Sequence, residues 1–351
     1  MHNLGKEFLI MSDENSFGGP NRYYAANNRQ WWKGDSEEEK RMRLLLEKCQ
    51  EGLQKQIELT CKQWNQVIRE HIKNEMALRL TVGDERQAVP VQVVDGLPSP
   101  FVKFIQELRK DQIWVFIFNR PLLLETEKGV DIILKNYDSI RDWNGLKEAI
   151  IKKEELYHVL LFINALNKEI EKLELYEKIA NIRQDILGAY FFNIPEIQIY
   201  WMVIGIISKI INADAKDLAV VVLIHELAHA YTHLGRDIDG EQWRTKAFSD
   251  TDINIVEGLA QFYTSVICEK ISDKNPNIKN AYKKLLKAQK GPYRVHEKWN
   301  VNGEKSGEIV RYGLIECRSK SITQYSEFEQ KLEEIRNRIG RRINSFQAIL
   351  F

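Results

Sequence analysis

The chain has seven histidines in 351 residues, and two of them stand four apart in His225-Glu226-Leu227-Ala228-His229. On a helix, residues i and i+4 lie one turn apart on the same face, so two imidazoles can converge on one ion. Glu226 is rotated by about 100° from His225, near enough to touch an ion-bound water without ligating the ion. Zinc brings the pKa of such a water close to neutrality, and the carboxylate can then accept its proton. With so few histidines, H-E-x-x-H arises by chance in roughly one or two such chains per hundred. The competing reading is a buried helix with two satisfied histidines. Leu218–Ile224 is apolar on every side, so the helix enters the core and takes charged Glu226 with it. A buried carboxylate beside two histidines is costly unless something pairs with it. A metal ion is the expected partner.

A helical site of this kind needs a third protein ligand and an open fourth position for water. In the metzincin pattern the third ligand is a His six residues beyond the second, and that place is Gly235. His233 lies one further turn along the same helix, but three ligands in a row on a straight helix cannot surround an ion tetrahedrally. Glu257, in Asn254-Ile-Val-Glu-Gly-Leu-Ala-Gln-Phe-Tyr-Thr, is the better candidate. Asn254 and Glu257 also have the spacing of a capping box, in which Glu257 would only satisfy a backbone amide. Asp237, Asp239, Glu241, Asp250 and Asp252 are the weaker substitutes.

The elements that must position these groups follow from pattern. Asp214 or Asp217 can cap a helix running through LAVVVLIHELAHAYTHL to Gly235. The segment holding Glu257 opens a second helix, with Ile255, Leu259, Phe262, Val266 and Ile267 as its apolar stripe; small Gly258 and Ala260 permit close approach to the first. Upstream, Leu44, Leu45, Cys49, Leu53, Ile57, Cys61, Trp64 and Ile68 predict one helix from Ser36 to about Leu80. Leu78–Val82, Val91–Val94 and Ile113–Phe118 are strand candidates. Ser99 as N-cap with Pro100 at N1 predicts a helix to about Lys110. Residues 145–185 read as helix with a solvated charged face, and the tail from Gln324 as an amphipathic helix. Residues 12–35 are rich in Asn, Ser and Gly and suggest a loose arm, docked if at all through Trp31 and Trp32.

Composition excludes more than it selects. Hydrophobic residues make up 44% and charged residues 29%, as in globular proteins, and 51 Lys plus Arg against 50 Asp plus Glu give +1. No basic surplus points to nucleic acid. Cys49, Cys61, Cys268 and Cys317 show no CxxC spacing, so reduced thiols and a cytoplasmic location are expected. The N-terminal MHNLGKEFLIM does not fit a signal peptide. The apolar windows Ile186–Ile211 and Leu218–Ala230 read as core segments and not as membrane spans.

HELAHAYTHLG followed by VEGLAQFY resembles the gluzincin group of zinc metallopeptidases, in which a helix bearing HExxH is followed by one supplying a glutamate ligand. Ile186–Tyr200 is similar to the edge strand of the zincin sheet, ahead of a short helix and the active-site helix. The resemblance covers roughly 186–270, and implies an extended peptide substrate added to that edge. HELAH is also similar to the ImmA/IrrE-like regulatory proteases. The residue four beyond the third ligand, often acidic in gluzincins, is Gln261, which leaves the partner of a ligating His unidentified. Tyr293, His296, Arg311 and Tyr312 are the candidate oxyanion donors, His296 and Tyr293 foremost.

The expected architecture is α+β and mainly helical, with a small sheet in a zincin-like domain. Its expected parts are a flexible arm (1–35), a helical and mixed region (36–185) and a metallopeptidase domain (186–351). The expected activity is zinc-dependent peptidase chemistry, with Zn²⁺ on His225, His229 and Glu257 and with Glu226 as general base. The substrate class is a peptide or protein, with no nucleic acid and no membrane as partner. Two other readings stand beside it: a regulatory protease acting on one partner protein, and a non-enzymatic helical protein whose HExxH is structural.

Overall fold

The computed structural model describes residues 37–82, 86–87, 89–111, 114–143, 151–180, 186–299 and 306–349; the expected arm 1–35 lies outside the described residues. The single helix expected from Ser36 to Leu80 is two, α1 (Glu37–Cys49) and α2 (Leu53–Met76). They part at Gly52, whose φ of 65° is left-handed and open to glycine at little cost. The Gly52 N–H donates to Glu47 Oε2 there, at 2.9 Å. The α2 stripe does what its spacing implies, burying Leu53, Ile57, Cys61, Ile68, Ile72 and Met76.

Of the expected strand Leu78–Val82, only β1 (Thr81–Val82) is a strand, paired antiparallel with β2 (Arg86–Gln87), while Arg79 bridges to Arg236. The expected Val91–Val94 strand is β3. The helix α3 (Ser99–Leu108) starts one residue earlier than expected, with Pro98 at the cap and Pro100 in the first turn. Of the expected strand Ile113–Phe118, Ile113 lies outside the described residues and Trp114–Ile117 forms one helical turn, α4, in place of a strand. The Trp114 N–H donates to Asp111 O at 3.2 Å, so the chain is already turning where the apolar run begins. Short apolar runs fit either state, and here the preceding turn decides. Next come α5 (Arg120–Lys135), α6 (Tyr137–Trp143), α7 (Lys153–Lys172) and α8 (Leu175–Ala180). The last two meet the helical expectation for 145–185 over 153–172 and 175–180; residues 145–150 and 181–185 lie outside the described residues.

Two strands, β4 (Gly188–Phe191) and β5 (Glu196–Tyr200), occupy the region expected to hold one edge strand. The sheet order is β3-β5-β4, with β3 parallel to β5 (Val91 opposite Ile197) and β4 antiparallel to it (Gly188 opposite Ile199). There follow α9 (Trp201–Ile210), α10 (Ala215–Leu234), α11 (Thr245–Asp250), α12 (Ile253–Ile271) and α13 (Pro276–Lys287). A 3-10 helix (Gly291–Lys298), α14 (Ser306–Lys320) and α15 (Tyr325–Ile349) complete the chain. The architecture is mainly helical α+β with small sheets.

The central element is α10. It packs against α2, α9, α12, α13 and the β4–β5 hairpin. This is why Leu218–Ile224 is apolar all round and buried all round. Each large aliphatic buried there contributes about 1.5–3 kcal/mol. The Tyr231 hydroxyl donates to Arg69 O at 3.2 Å, fastening α10 to α2. Among the described residues no helix is long and apolar enough to cross a membrane.

Candidate metal centre

Both ends of α10 are set by local chemistry. Of the two expected caps, Asp214 serves, its Oδ1 accepting from the N–H groups of Lys216 (2.8 Å) and Asp217 (3.3 Å). Asp217 accepts instead from Asn275 Nδ2 at 3.3 Å. The helix does stop at Gly235, but with φ −59°, not in the left-handed conformation. Glycine is needed there for space: a Cβ would lie 2.4 Å from Tyr231 O and 2.9 Å from Leu78 Cβ.

The start of α12 decides the role of Glu257. Asp252 is its N-cap, accepting from the Asn254 N–H at 2.8 Å, so Asn254 and Glu257 do not form a capping box. Glu257 sits one turn inside the helix, and its Oε2 lies 3.2 Å from His225 Nε2 and 3.4 Å from His229 Nε2. The two Nε2 atoms are 3.1 Å apart. His225, Glu226, His229 and Glu257 are 8, 2, 4 and 1% exposed.

The donor set fits a tetrahedral zinc. Zn–N and Zn–O bonds of about 2.0–2.1 Å imply ligand–ligand edges of about 3.3–3.4 Å, against the 3.1, 3.2 and 3.4 Å observed. Among the described residues this is the one group of three or more His, Cys, Asp or Glu able to hold a metal. None of the weaker candidates joins this group. Asp237 Oδ1 accepts from the N–H groups of Asp239 and Glu241 in a turn, Asp250 ends α11, and Asp252 caps α12.

His233 packs, as the straight-helix argument requires. Its Nδ1 meets the Tyr190 hydroxyl at 2.9 Å and its Nε2 the Thr245 hydroxyl at 3.2 Å, while the ring stacks on Phe248. Burial, with the Arg318 guanidinium in support, pushes His233 down to about 4, so it is neutral near pH 7. No spacing in the sequence links Tyr190 or Thr245 to this histidine. The Tyr190 contact ties β4 to the last turn of α10, and β4 also runs beside the centre. The Cβ that Gly188 lacks would stand 3.1 Å from Glu226 Cγ and 2.8 Å from Val222 Cγ1.

Of the four expected oxyanion donors, Tyr293 reaches the centre, its ring centroid 6.1 Å from that of His225. His296 is 2% exposed and hydrogen-bonded through Nε2 to the Tyr282 hydroxyl at 3.0 Å. Burial pushes it down to about 4. Arg311 lies over the ring of its own neighbour Tyr312 on α14. Comparison with family models, with curated proteins and with solved structures finds no match for this chain.

Proposed function

We propose that this chain is a zinc-dependent peptidase. The observation that carries the reading is the buried triangle of His225 Nε2, His229 Nε2 and Glu257 Oε2, with edges of a tetrahedral zinc site. The resemblance of HELAHAYTHLG and VEGLAQFY to gluzincins agrees with it, as does a sheet edge beside Glu226. Those three residues would hold Zn²⁺, which supplies the Lewis acidity that brings a water near neutral pKa.

Glu226 follows His225 on α10 and is turned about 100° from it, so it accepts the proton of the attacking water and later hands it to the leaving amine. Its burial keeps bulk water from competing for that proton. Tyr293, against His225, donates to the oxyanion that develops on the scissile carbonyl. An extended peptide adding antiparallel or parallel to β4, the edge strand whose Gly188 packs against Glu226, would pass its backbone near that carboxylate.

The experiment compares the wild-type chain with Glu226→Gln. Wild type is expected to hold about one zinc per chain by elemental analysis and to cleave members of a peptide library. Glu226→Gln is expected to keep the zinc and lose cleavage. Substantial cleavage by that variant, or no zinc in wild type after reconstitution, overturns the proposal.

A further inference from the structure

Tyr293 rides on an unusual support. The 3-10 helix Gly291–Lys298 runs eight residues, although the poor hydrogen-bond geometry of 3-10 turns usually limits them to three or four. Such a segment takes its shape from what it is packed against, and three contacts hold it. At its start, Gln261 Nε2 donates to Gln289 Oε1 at 3.2 Å. Gln261 is 2% exposed and sits one turn after Glu257 on α12. In its middle, the Tyr282 hydroxyl of α13 hydrogen-bonds His296 Nε2 at 3.0 Å. Burial holds the Tyr282 phenol up and the His296 imidazole down, so both are neutral partners.

At its end, Trp299 is 3% exposed and fills the notch left by Gly258, the residue next to Glu257. A Cβ on Gly258 would stand 2.4 Å from Trp299 Cη2. Phe328 meets the same indole edge to face, at 5.3 Å.

We propose that Gln261, Tyr282 and Trp299 are positioning residues whose joint task is to seat residues 289–299 so that Tyr293 faces the fourth ligand position. The inference rests on the zinc-peptidase reading of the centre. Two of the three contacts, through Gln261 and Gly258, belong to the helix that supplies Glu257, so ligand and oxyanion donor share one support. Gln261 thereby has a role in place of the acidic residue expected at its position.

The test uses the full chain loaded with Co²⁺, titrated with acetohydroxamate while the visible cobalt absorption is followed. Tyr293→Phe is expected to weaken hydroxamate binding about tenfold, the size of one hydrogen bond to a charged group. Tyr282→Phe and Gln261→Ala are expected to weaken it by about threefold or more. In both, cobalt affinity should stay at its wild-type value although the melting midpoint falls by a few degrees for the lost buried contact, whereas a purely structural role would leave hydroxamate affinity of the folded, cobalt-loaded chain unchanged. His296→Gln, which restores a hydrogen-bonding partner for the Tyr282 hydroxyl, should bind hydroxamate better than His296→Ala. Wild-type hydroxamate affinity in Tyr282→Phe and Gln261→Ala, with cobalt bound, overturns this inference alone; wild-type affinity in Tyr293→Phe overturns it together with the oxyanion role of Tyr293. Absence of cobalt binding by the wild-type chain overturns the metal centre and this inference with it.

Discussion

Metal loading should raise the unfolding midpoint of this chain, and Glu257→Gln should remove the rise. The ligand atoms converge only in the folded chain, because His225 and His229 lie on α10 and Glu257 on α12. A metal held by them would bind the native state alone and stabilise it by mass action. At a free zinc concentration of 100 times Kd the gain is about 2.7 kcal/mol. Unfolding entropy near 60 °C is about 2.1 cal/mol/K per residue, which for 351 residues converts that gain into a rise of about 4 °C. Glu257→Gln keeps the side-chain volume in a site only 1% exposed but replaces the anionic ligand with a neutral amide. Its apo midpoint should stay near wild type while its zinc response collapses. The assay is scanning calorimetry of chelator-stripped protein with and without zinc, on wild type, Glu257→Gln and His229→Ala. No zinc-dependent rise in wild type, or an equal rise in Glu257→Gln, would refute the reasoning.

Two further outcomes follow from the same contacts. Gly188→Ala forces a Cβ to 2.8 Å from Val222 Cγ1 and 3.1 Å from both Gln198 O and Glu226 Cγ; a loss of about 1–3 kcal/mol is expected, read as a lower urea midpoint, together with reduced peptide cleavage and retained zinc. An unchanged midpoint would mean that β4 does not press on α10 as described. His233, held down to about 4 from an ordinary 6.5, stays neutral in the fold while the unfolded chain takes up a proton below 6.5. Its contribution to stability is therefore complete above 6.5 and is lost as pH falls from 6.5 to 4. Between pH 6 and 4.5, His233→Gln should make the dependence of unfolding free energy on pH shallower by about 1 kcal/mol per unit. Identical slopes in the two proteins would show that His233 is not desolvated.

The order of elements around the centre was legible because each rule involved is local. Asp214 caps α10 through amides two and three residues on, and the i, i+4 geometry of His225 and His229 needs nothing beyond one helix. The choice of Glu257 combined a local fact, its place on an apolar helix, with a chemical requirement for a third ligand. The errors lie where context overrides a pattern. Trp114–Ile117 has β-favouring composition but follows a turn closed on Asp111 O, and the long N-terminal helix is interrupted at Gly52. Neither could be weighed from periodicity alone, because short apolar runs and isolated glycines are compatible with both outcomes.

The sequence by itself therefore determined the chemistry on offer: two imidazoles and a carboxylate on one buried helix, a second helix carrying a glutamate, and a mainly helical α+β chain to hold them. Tertiary structure alone decided which groups meet. Glu257 Oε2 stands against both imidazoles because α12 packs on α10, Tyr190 finds His233 across 43 residues, and Tyr293 reaches His225 across 68. The physical reason is that caps and helix faces are written within a few residues, whereas these contacts depend on how separate apolar faces stack, and no local spacing records that.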